Sequence, residues 1–230
     1  MNPILILTRN NLSLTQRCVA SVAQQDIPTS LLILDNDSTD GTVDWLRSGQ
    51  VHCSHMEFKP QKGVSAGWNE GLSAFFAWPR NEHVLVVNND TVLPLWFYRE
   101  LLGYDVPFIT GLAQDDMAEI AEPKPPAPLD PHPDFSAYLI RRQAWEAVGP
   151  FDERMQLYAS DCDWHVRAHR KGIRLWKAST SYYHERSSTM RLATEPERQR
   201  IQEQANKDRA FFRSLYGRIP GDPTYDELFR

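Results

Sequence analysis

Cysteine is scarce in this 230-residue chain. Cys18, Cys53 and Cys162 are odd in number and widely spaced, so neither a disulfide framework nor a zinc-finger spacing is present. Long apolar runs are missing as well, and nothing approaches the length needed to span a bilayer. The start, Met1-Asn2-Pro3-Ile4-Leu5-Ile6-Leu7, has no basic leader and reads as a first strand, not an export signal, so the cytoplasm is the default expectation. Positive charge is in deficit too. A formal net charge of −5 argues against bulk nonspecific binding of nucleic acid, which relies on counterion release by Lys and Arg, though a local basic groove is not excluded. There are no internal repeats and no evident domain boundary.

What is present is alternation. The run His83-Val84-Leu85-Val86-Val87 is apolar and β-branched, the pattern of a strand buried on both faces. Ile4 to Leu7, Ser30 to Leu34 and, more weakly, His52 to Phe58 read as further strands. Ser13 to Gln25, Asp40 to Arg47 and Ser65 to Trp78 read as the helices between them, the last stopped by Pro79. This strand–helix alternation predicts a doubly wound α/β domain with a parallel sheet. Glu122 to Pro133 then carries six prolines and is neither a helix nor a central strand; it is read as a stiff connector or as a lid beside a site. Beyond it, Phe135 to Ile140 reads as a strand, and Arg142 to Val148 and Asp161 to Lys171 as helices. Ile173 to Trp176 and Ser181 to Tyr183 read as short extended pieces, and Glu195 to Leu215 as a long polar helix.

Polar residues gather where the strands end, which is where open α/β sheets bind ligands. The strongest strand ends in Asn88-Asn89-Asp90, which either turns the chain or places a carboxylate to hold a cation against a diphosphate. The second strand ends in Asp35-Asn36-Asp37-Ser38-Thr39-Asp40, too long a polar run for helix capping alone, and Asp35 is suited to accept from a nucleobase N–H. Lys62-Gly63 opens a glycine-containing helix in which backbone could approach a ligand closely, without the tail of a P-loop. Asp161 and Asp163 stand at a helix start, as dipole partners or as a general base. His184 follows an extended piece and precedes Ser187, Ser188 and Thr189, a fair position for a metal ligand.

Taken in order, these pieces resemble glycosyltransferase family 2, the nucleotide-sugar enzymes of GT-A fold, in its rhamnosyltransferase-like branch. The resemblance rests on Ile6 to Asn10, Asp35 to Thr42, Gly63 through Asn69-Glu70-Gly71, Asn88 to Asp90, Gly149 to Glu153, Ser160 to Asp163, Tyr183-His184 and the aromatic tail Phe211 to Gly217. It implies one GT-A domain over residues 1–230: a Rossmann-like, mostly parallel sheet with a smaller mixed C-terminal part. Residues 1–90 would bind the nucleotide-sugar, 91–190 would hold the acceptor and catalytic groups, and 191–230 would form a C-terminal helix and tail. Thr8, Arg9 and Asn10 would line the nucleotide pocket with Asp35, Asn36, Asp37, Lys62, Gly63 and Asn69, Asp35 reading the base. Asn88 and Asn89 would contact the ribose or the metal shell. Asp90 and His184 would hold Mn²⁺ or Mg²⁺, and Asp161 would be the catalytic base, with Asp163 in reserve.

The implied activity is inverting transfer from a UDP- or dTDP-sugar to a hydroxyl of a glycan or lipid-linked glycan. Two departures stand out: Asn88 replaces the first Asp of the metal motif, and Ser160 stands where the family has an acidic residue. Two alternatives follow. One is a phage-type transferase acting on a hydroxymethylated DNA base, so that nucleic acid would be the acceptor. The other is a non-catalytic sugar-nucleotide-binding module. The last helix carries Arg191, Arg198, Arg200, Lys207, Arg209 and Arg213 interleaved with Glu, read as a solvated face, with peripheral contact to an anionic membrane as the other option.

Overall fold

A computed structural model describes residues 1–116, 125–186 and 188–230. The first seven elements follow the expected alternation: β1 Asn2–Thr8, α1 Leu12–Ala23, β2 Thr29–Asp35, α2 Thr42–Arg47, β3 Ser54–Glu57, α3 Val64–Phe76 and β4 His83–Asn88. After these come β5 Thr91–Val92, α4 Phe97–Leu102, β6 Phe108–Gln114, β7 Ala127–Pro128, β8 Ala137–Arg141 and α5 Arg142–Val148. The chain continues with α6 Ser160–Arg170, β9 Trp176–His184, α7 Ser188–Leu192, α8 Glu195–Tyr216 and a 3₁₀ turn Tyr225–Phe229.

The strands form one sheet in the order β3-β2-β1-β4-β8-β6-β9-β5, with β7 added beside β9. The β3-β2-β1-β4 half is parallel. The other half is mixed, because β8 runs antiparallel to both β4 and β6. The expected GT-A arrangement, a parallel half and a smaller mixed part, is therefore borne out.

Both faces of the sheet are covered, which is why the strands are apolar throughout. Leu5 and Leu7 of β1 join Leu32, Leu34, Val84 and Val86 under Trp68, Tyr138 and Trp164. Ile4 and Ile6 point the other way and pack with Ile33, Leu85 and Val87 against Cys18, Phe97 and Tyr98. Helix α3 lies unusually close to β1. A Cβ built on Gly67 would come within 2.6 Å of Leu7, and one on Gly71 within 2.4 Å of Leu5. These glycines thus serve helix–strand contact.

The differences from expectation lie in the second half. Of the two extended pieces expected after α6, Ser181 to Tyr183 lies in one longer strand, β9, while Ile173 to Trp176 only reaches its first residue; the pairing of β9 with β6 shifts register between Thr110 and Leu112. Of the proline-rich segment, residues 122–124 lie outside the described residues. Its remainder contains β7, a two-residue strand on β9, an edge position that proline tolerates. Ser187 also lies outside the described residues.

Registers bring the polar strand ends level. Thr8 of β1 sits beside Asp35 of β2, and Leu7 beside Asn88 of β4. At the far end of the chain, α8 starts with a capping box between Thr194 and Glu197. Its C-terminal half is fixed by Phe212, which packs with Met155, Cys162, Val166 and Tyr225.

Candidate active site

A cleft of about 810 Å³ opens beyond the carboxyl ends of β1 and β4. Of the residues expected at the site, Thr8, Arg9, Asn36, Lys62, Gly63, Asn88, Asn89, Asp90, Asp161 and His184 line it together. They come from widely separated parts of the chain. The parallel β1-β2-β4 block supplies one wall, the start of α6 another, and the end of β9 the floor beside Asp90.

On the nucleotide side, Asn89 donates its amide to the hydroxyls of Thr8 (3.1 Å) and Thr15 (3.0 Å), which are themselves 2.7 Å apart. Asn36 clamps Lys62 by two bonds of 2.7 Å, one through its amide N–H and one through its carbonyl. Asp35 is fully buried (0 % exposed). Its Oδ1 accepts from the Ser38 N–H at 2.9 Å, while its buried Oδ2 has no hydrogen-bond partner among the described residues. A carboxylate oxygen in that condition is costly unless something else donates to it.

Several expected residues hold the scaffold and do not line the cleft. Asn10 adopts φ 57°, its carbonyl accepts from the Thr39 N–H at 2.8 Å and its own N–H reaches Ser38 Oγ at 2.7 Å. Asp37, at φ 68°, shapes the same turn. Asn69 is buried in α3 and donates to the Phe151 carbonyl and to Glu153, both at 2.9 Å, while accepting from the Phe151 N–H at 2.8 Å. Asp163 is 1 % exposed, bound by Arg167 Nε at 2.8 Å and by the Tyr216 hydroxyl at 2.6 Å.

The Asp90–His184 pair forms the second part of the site. His184 Nε2 lies 3.5 Å from Asp90 Oδ1, and Nδ1 lies 3.5 Å from Asp134 Oδ2. Asp90 also accepts from Ser188 Oγ at 2.6 Å, and its carbonyl from the Glu185 N–H at 2.9 Å. Burial lowers the affinity of His184 for a proton, but the two flanking carboxylates outweigh it and raise its pKa to about 9. Asp134 is itself held below the usual carboxylate range by His184 and by Ser136, against the effect of burial.

The donor set suits a divalent cation. His184 Nε2 and Asp90 Oδ1 could together hold an ion, and Asp134 Oδ2 lies behind the ring, 3.5 Å from an Nδ1 that makes no hydrogen bond among the described residues, where carboxylates stand behind metal-ligating histidines. No group of three or more His, Cys, Asp or Glu side chains suited to a metal is assembled among the described residues. The remaining positions around an ion would fall to the ligand's own oxygens.

Asp161 stands at the start of α6, just after Ala159 in a left-handed conformation at φ 66°. Its Oδ1 accepts from the Cys162 N–H at 2.8 Å. Burial raises its pKa from 3.8 to about 6; the Cys162 N–H works against this, and the charge of Asp134 adds to it.

Other cleft residues were not anticipated in these roles. Asp134 directly follows Pro133 at the entry to β8, a lone carboxylate whose only sequence signal is its place at the start of a strand. Helix α8 lays Glu197, Arg200, Ile201, Gln204 and Lys207 along the cleft, at the spacing of one helix face. Of the other basic residues around that helix, Arg191 pairs with Glu185, Arg198 with Glu195 and Arg213 with Asp222, while Arg209 lies over the Tyr158 ring. No described helix is long and apolar enough to cross a membrane.

Residues 4–104 match the family model described as Glycosyl transferase family 2. No curated protein matches the chain. Among solved structures, TarS of S. aureus has a TM-score of 0.65 at 16% identity, covering 99% of this chain and 48% of its own, so the chain spans about half of that protein. The TarS 1–349 fragment in complex with UDP-GlcNAc has a TM-score of 0.64 at 14% identity, covering 100% of this chain and 70% of its own. A mannosyltransferase from Pyrobaculum calidifontis, in complex with GDP-Man and Mn²⁺, has a TM-score of 0.65 at 16% identity, covering 98% of this chain and 67% of its own. The resemblance to family 2 and its fold is borne out, and none of these matches bears on the rhamnosyltransferase-like branch. The chain has the GT-A fold of family 2 nucleotide-sugar transferases, and the family match covers the first half of that fold.

Proposed function

We propose that the protein is an inverting, metal-dependent glycosyltransferase that moves a sugar from a UDP- or dTDP-sugar to a hydroxyl of a glycan or lipid-linked glycan. The observation that carries this reading is the convergence in one cleft of Asp90 and His184, 3.5 Å apart, with Asp161, a carboxylate whose proton affinity is tuned toward neutrality. Asp35 is assigned to the base, because its unpartnered Oδ2 can accept the ring N–H of uracil or thymine. Thr8, Arg9, Asn36, Lys62, Gly63, Asn88 and Asn89 surround the nucleotide, with Asn10, Asp37 and Asn69 shaping the loops behind them.

Asp90 and His184 would hold Mn²⁺ or Mg²⁺, and what such an ion supplies when bound is neutralisation of charge on the leaving diphosphate. Asp161 takes the proton of the acceptor hydroxyl. The acceptor oxygen then bonds to the anomeric carbon as the bond to the diphosphate oxygen breaks, with inversion, and the electron pair leaves on the nucleoside diphosphate. A pKa near 6 leaves Asp161 mostly ionised at neutral pH, yet a stronger base than an ordinary carboxylate. Asp163 is tied to Arg167 and Tyr216, which favours Asp161 for this role.

The test is a thermal-shift screen of nucleoside diphosphates and their sugars with and without Mn²⁺. Ligand at 100 times its dissociation constant adds about 2.7 kcal/mol, or a rise of roughly 5–10 °C for a domain of this size. If neither UDP nor dTDP raises the melting temperature in the presence of Mn²⁺, the reading fails.

A further inference from the structure

The segment that delivers Asp161 to the cleft is held from outside the sheet. Met155 to Ala159 connects the loop after α5 to α6, and its Gln156, Leu157, Tyr158 and Ala159 line the cleft just before Asp161. On one side it is stitched to α3: the Ser65 hydroxyl donates to the Met155 carbonyl at 2.5 Å and the Val64 N–H to the Gln156 carbonyl at 2.6 Å. On the other side it meets Asp208, in the middle of α8.

Asp208 is 0 % exposed. Its Oδ1 accepts from the Gln156 N–H at 3.2 Å and from Gln204 Nε2 at 2.7 Å. Its Oδ2 accepts from the Leu157 N–H at 2.8 Å and the Tyr158 N–H at 2.9 Å. Consecutive backbone N–H groups turned to one point form a concavity for an anion, and here a side-chain carboxylate from a distant helix fills it. No ion pair to Asp208 is found among the described residues, so these donors carry the compensation for burying a carboxylate.

We infer that Asp208 is a positioning residue for transfer: it fixes the 156–158 backbone, and through it the place of Asp161 and the acceptor-side wall. The inference rests on the proposed function for the identity of the reaction, but not for the existence of the brace. Thr8, Asn36, Asn89, Asp90 and His184, assigned to the donor and its cation, lie on other elements and bond to none of the three N–H groups, and Gly63, which packs against Gln156, does so where the Val64 N–H holds the Gln156 carbonyl independently of Asp208. Loosening the brace should therefore spare donor affinity and reduce turnover, since a misplacement of about 1 Å in a reacting group costs about 100-fold.

The experiment compares Asp208→Asn, which keeps the volume but only one accepting oxygen, with Asp208→Glu, which keeps the carboxylate. UDP binding with Mn²⁺, hydrolysis of UDP-GlcNAc in water and backbone amide exchange are measured on each. The expected result for Asp208→Asn is exchange at residues 156–158 faster by about tenfold or more, with hydrolytic kcat down by about 10- to 100-fold. UDP affinity and the KM for donor should stay within about threefold, and Asp208→Glu should recover part of the kcat. Unchanged kcat in Asp208→Asn overturns the inference. So does parallel loss of UDP binding, kcat and melting temperature, which would mark a residue needed only for folding. A wild-type protein that binds neither UDP nor dTDP with Mn²⁺ defeats the proposed function instead; unchanged amide exchange in Asp208→Asn would then still overturn the brace.

Discussion

Asp161→Asn should make the protein more stable and less active at once, and the size of the gain follows from the surroundings of the carboxylate. In the folded chain burial, opposed by the Cys162 N–H and assisted by the charge of Asp134, lifts its pKa from 3.8 to about 6. That gap corresponds to about 3 kcal/mol of destabilisation once the group is ionised. Because the folded pKa lies above the unfolded one, the wild type keeps its full stability below pH ~4 and loses this contribution as pH rises through about 6. The Asn variant carries no charge there, and its carbonyl can still accept from the Cys162 N–H. The two proteins should therefore melt together at pH 4 and separate at pH 8, with the variant higher by up to about 3 kcal/mol, or roughly 6–12 °C. Activity should move the other way. The wild-type kcat/KM should rise with pH through about 6, whereas the variant should be down by about 10²–10⁴-fold and lack that limb. Calorimetric melting from pH 4 to pH 8, beside transfer or donor hydrolysis over the same range, tests both halves. A variant no more stable than wild type at pH 8, or one that keeps the same pH limb, would refute the reasoning.

Other outcomes follow from the same geometry. Asp90→Ala should abolish the Mn²⁺-dependent part of UDP binding in calorimetry while leaving the fold intact, because its partners Ser188 and His184 lie at the cleft edge. Asp134→Asn should leave Asp90 in place but weaken Mn²⁺ binding by about 10- to 100-fold through loss of the ring's orientation; unchanged affinity would show that His184 needs no such support. Gly71→Ala should destabilise by about 1–3 kcal/mol in urea unfolding, because the new methyl would meet Leu5 at 2.4 Å.

The parallel half was legible because its inner strands β1, β2 and β4 are largely apolar and end in polar residues, so His83–Asn88 and Thr29–Asp35 announce themselves twice, while the edge strand β3, Ser54–Glu57, gives a weaker signal. Strand β6 was not, because Thr110 and Gly111 interrupt its apolar run; Gly111 is needed there, since a Cβ would meet the Phe97 ring at 2.5 Å. Strand β9 was legible only from Ser181 because Lys177 to Thr180 is mostly polar, and its pairing with β6 carries it back to Trp176. At the site, Asp90 and His184 could be named from motif order, but their contact needs β5 and β9 to pair, Thr91 opposite His184. Asp134 and the cleft face of α8 were missed for one reason: a charged residue turned toward a solvent-filled cleft has the same sequence signature as one turned toward bulk water. Asp208 is harder still, since its partners are backbone N–H groups that any residue would supply.

Strand β4 is where the parallel and the mixed halves of the sheet meet. β4 pairs in parallel with β1 on one side and antiparallel with β8 on the other, and the chain runs directly from it into Asn89 and Asp90. On the proposed function, the β1 side answers to the nucleotide. The β8 side carries Asp161 and also His184 at the end of β9, so on the same proposal it serves the acceptor and the donor's cation alike. The two sides meet through side chains as well as ladder bonds, with Trp68 of α3 edge-on to Tyr138 of β8 at 5.8 Å and the Ser65 hydroxyl donating to the Met155 carbonyl, so a change on either side is felt by the other. An exchange of halves between relatives, cut at β4, would have to carry α3 together with its partners Phe151, Met155 and Gln156.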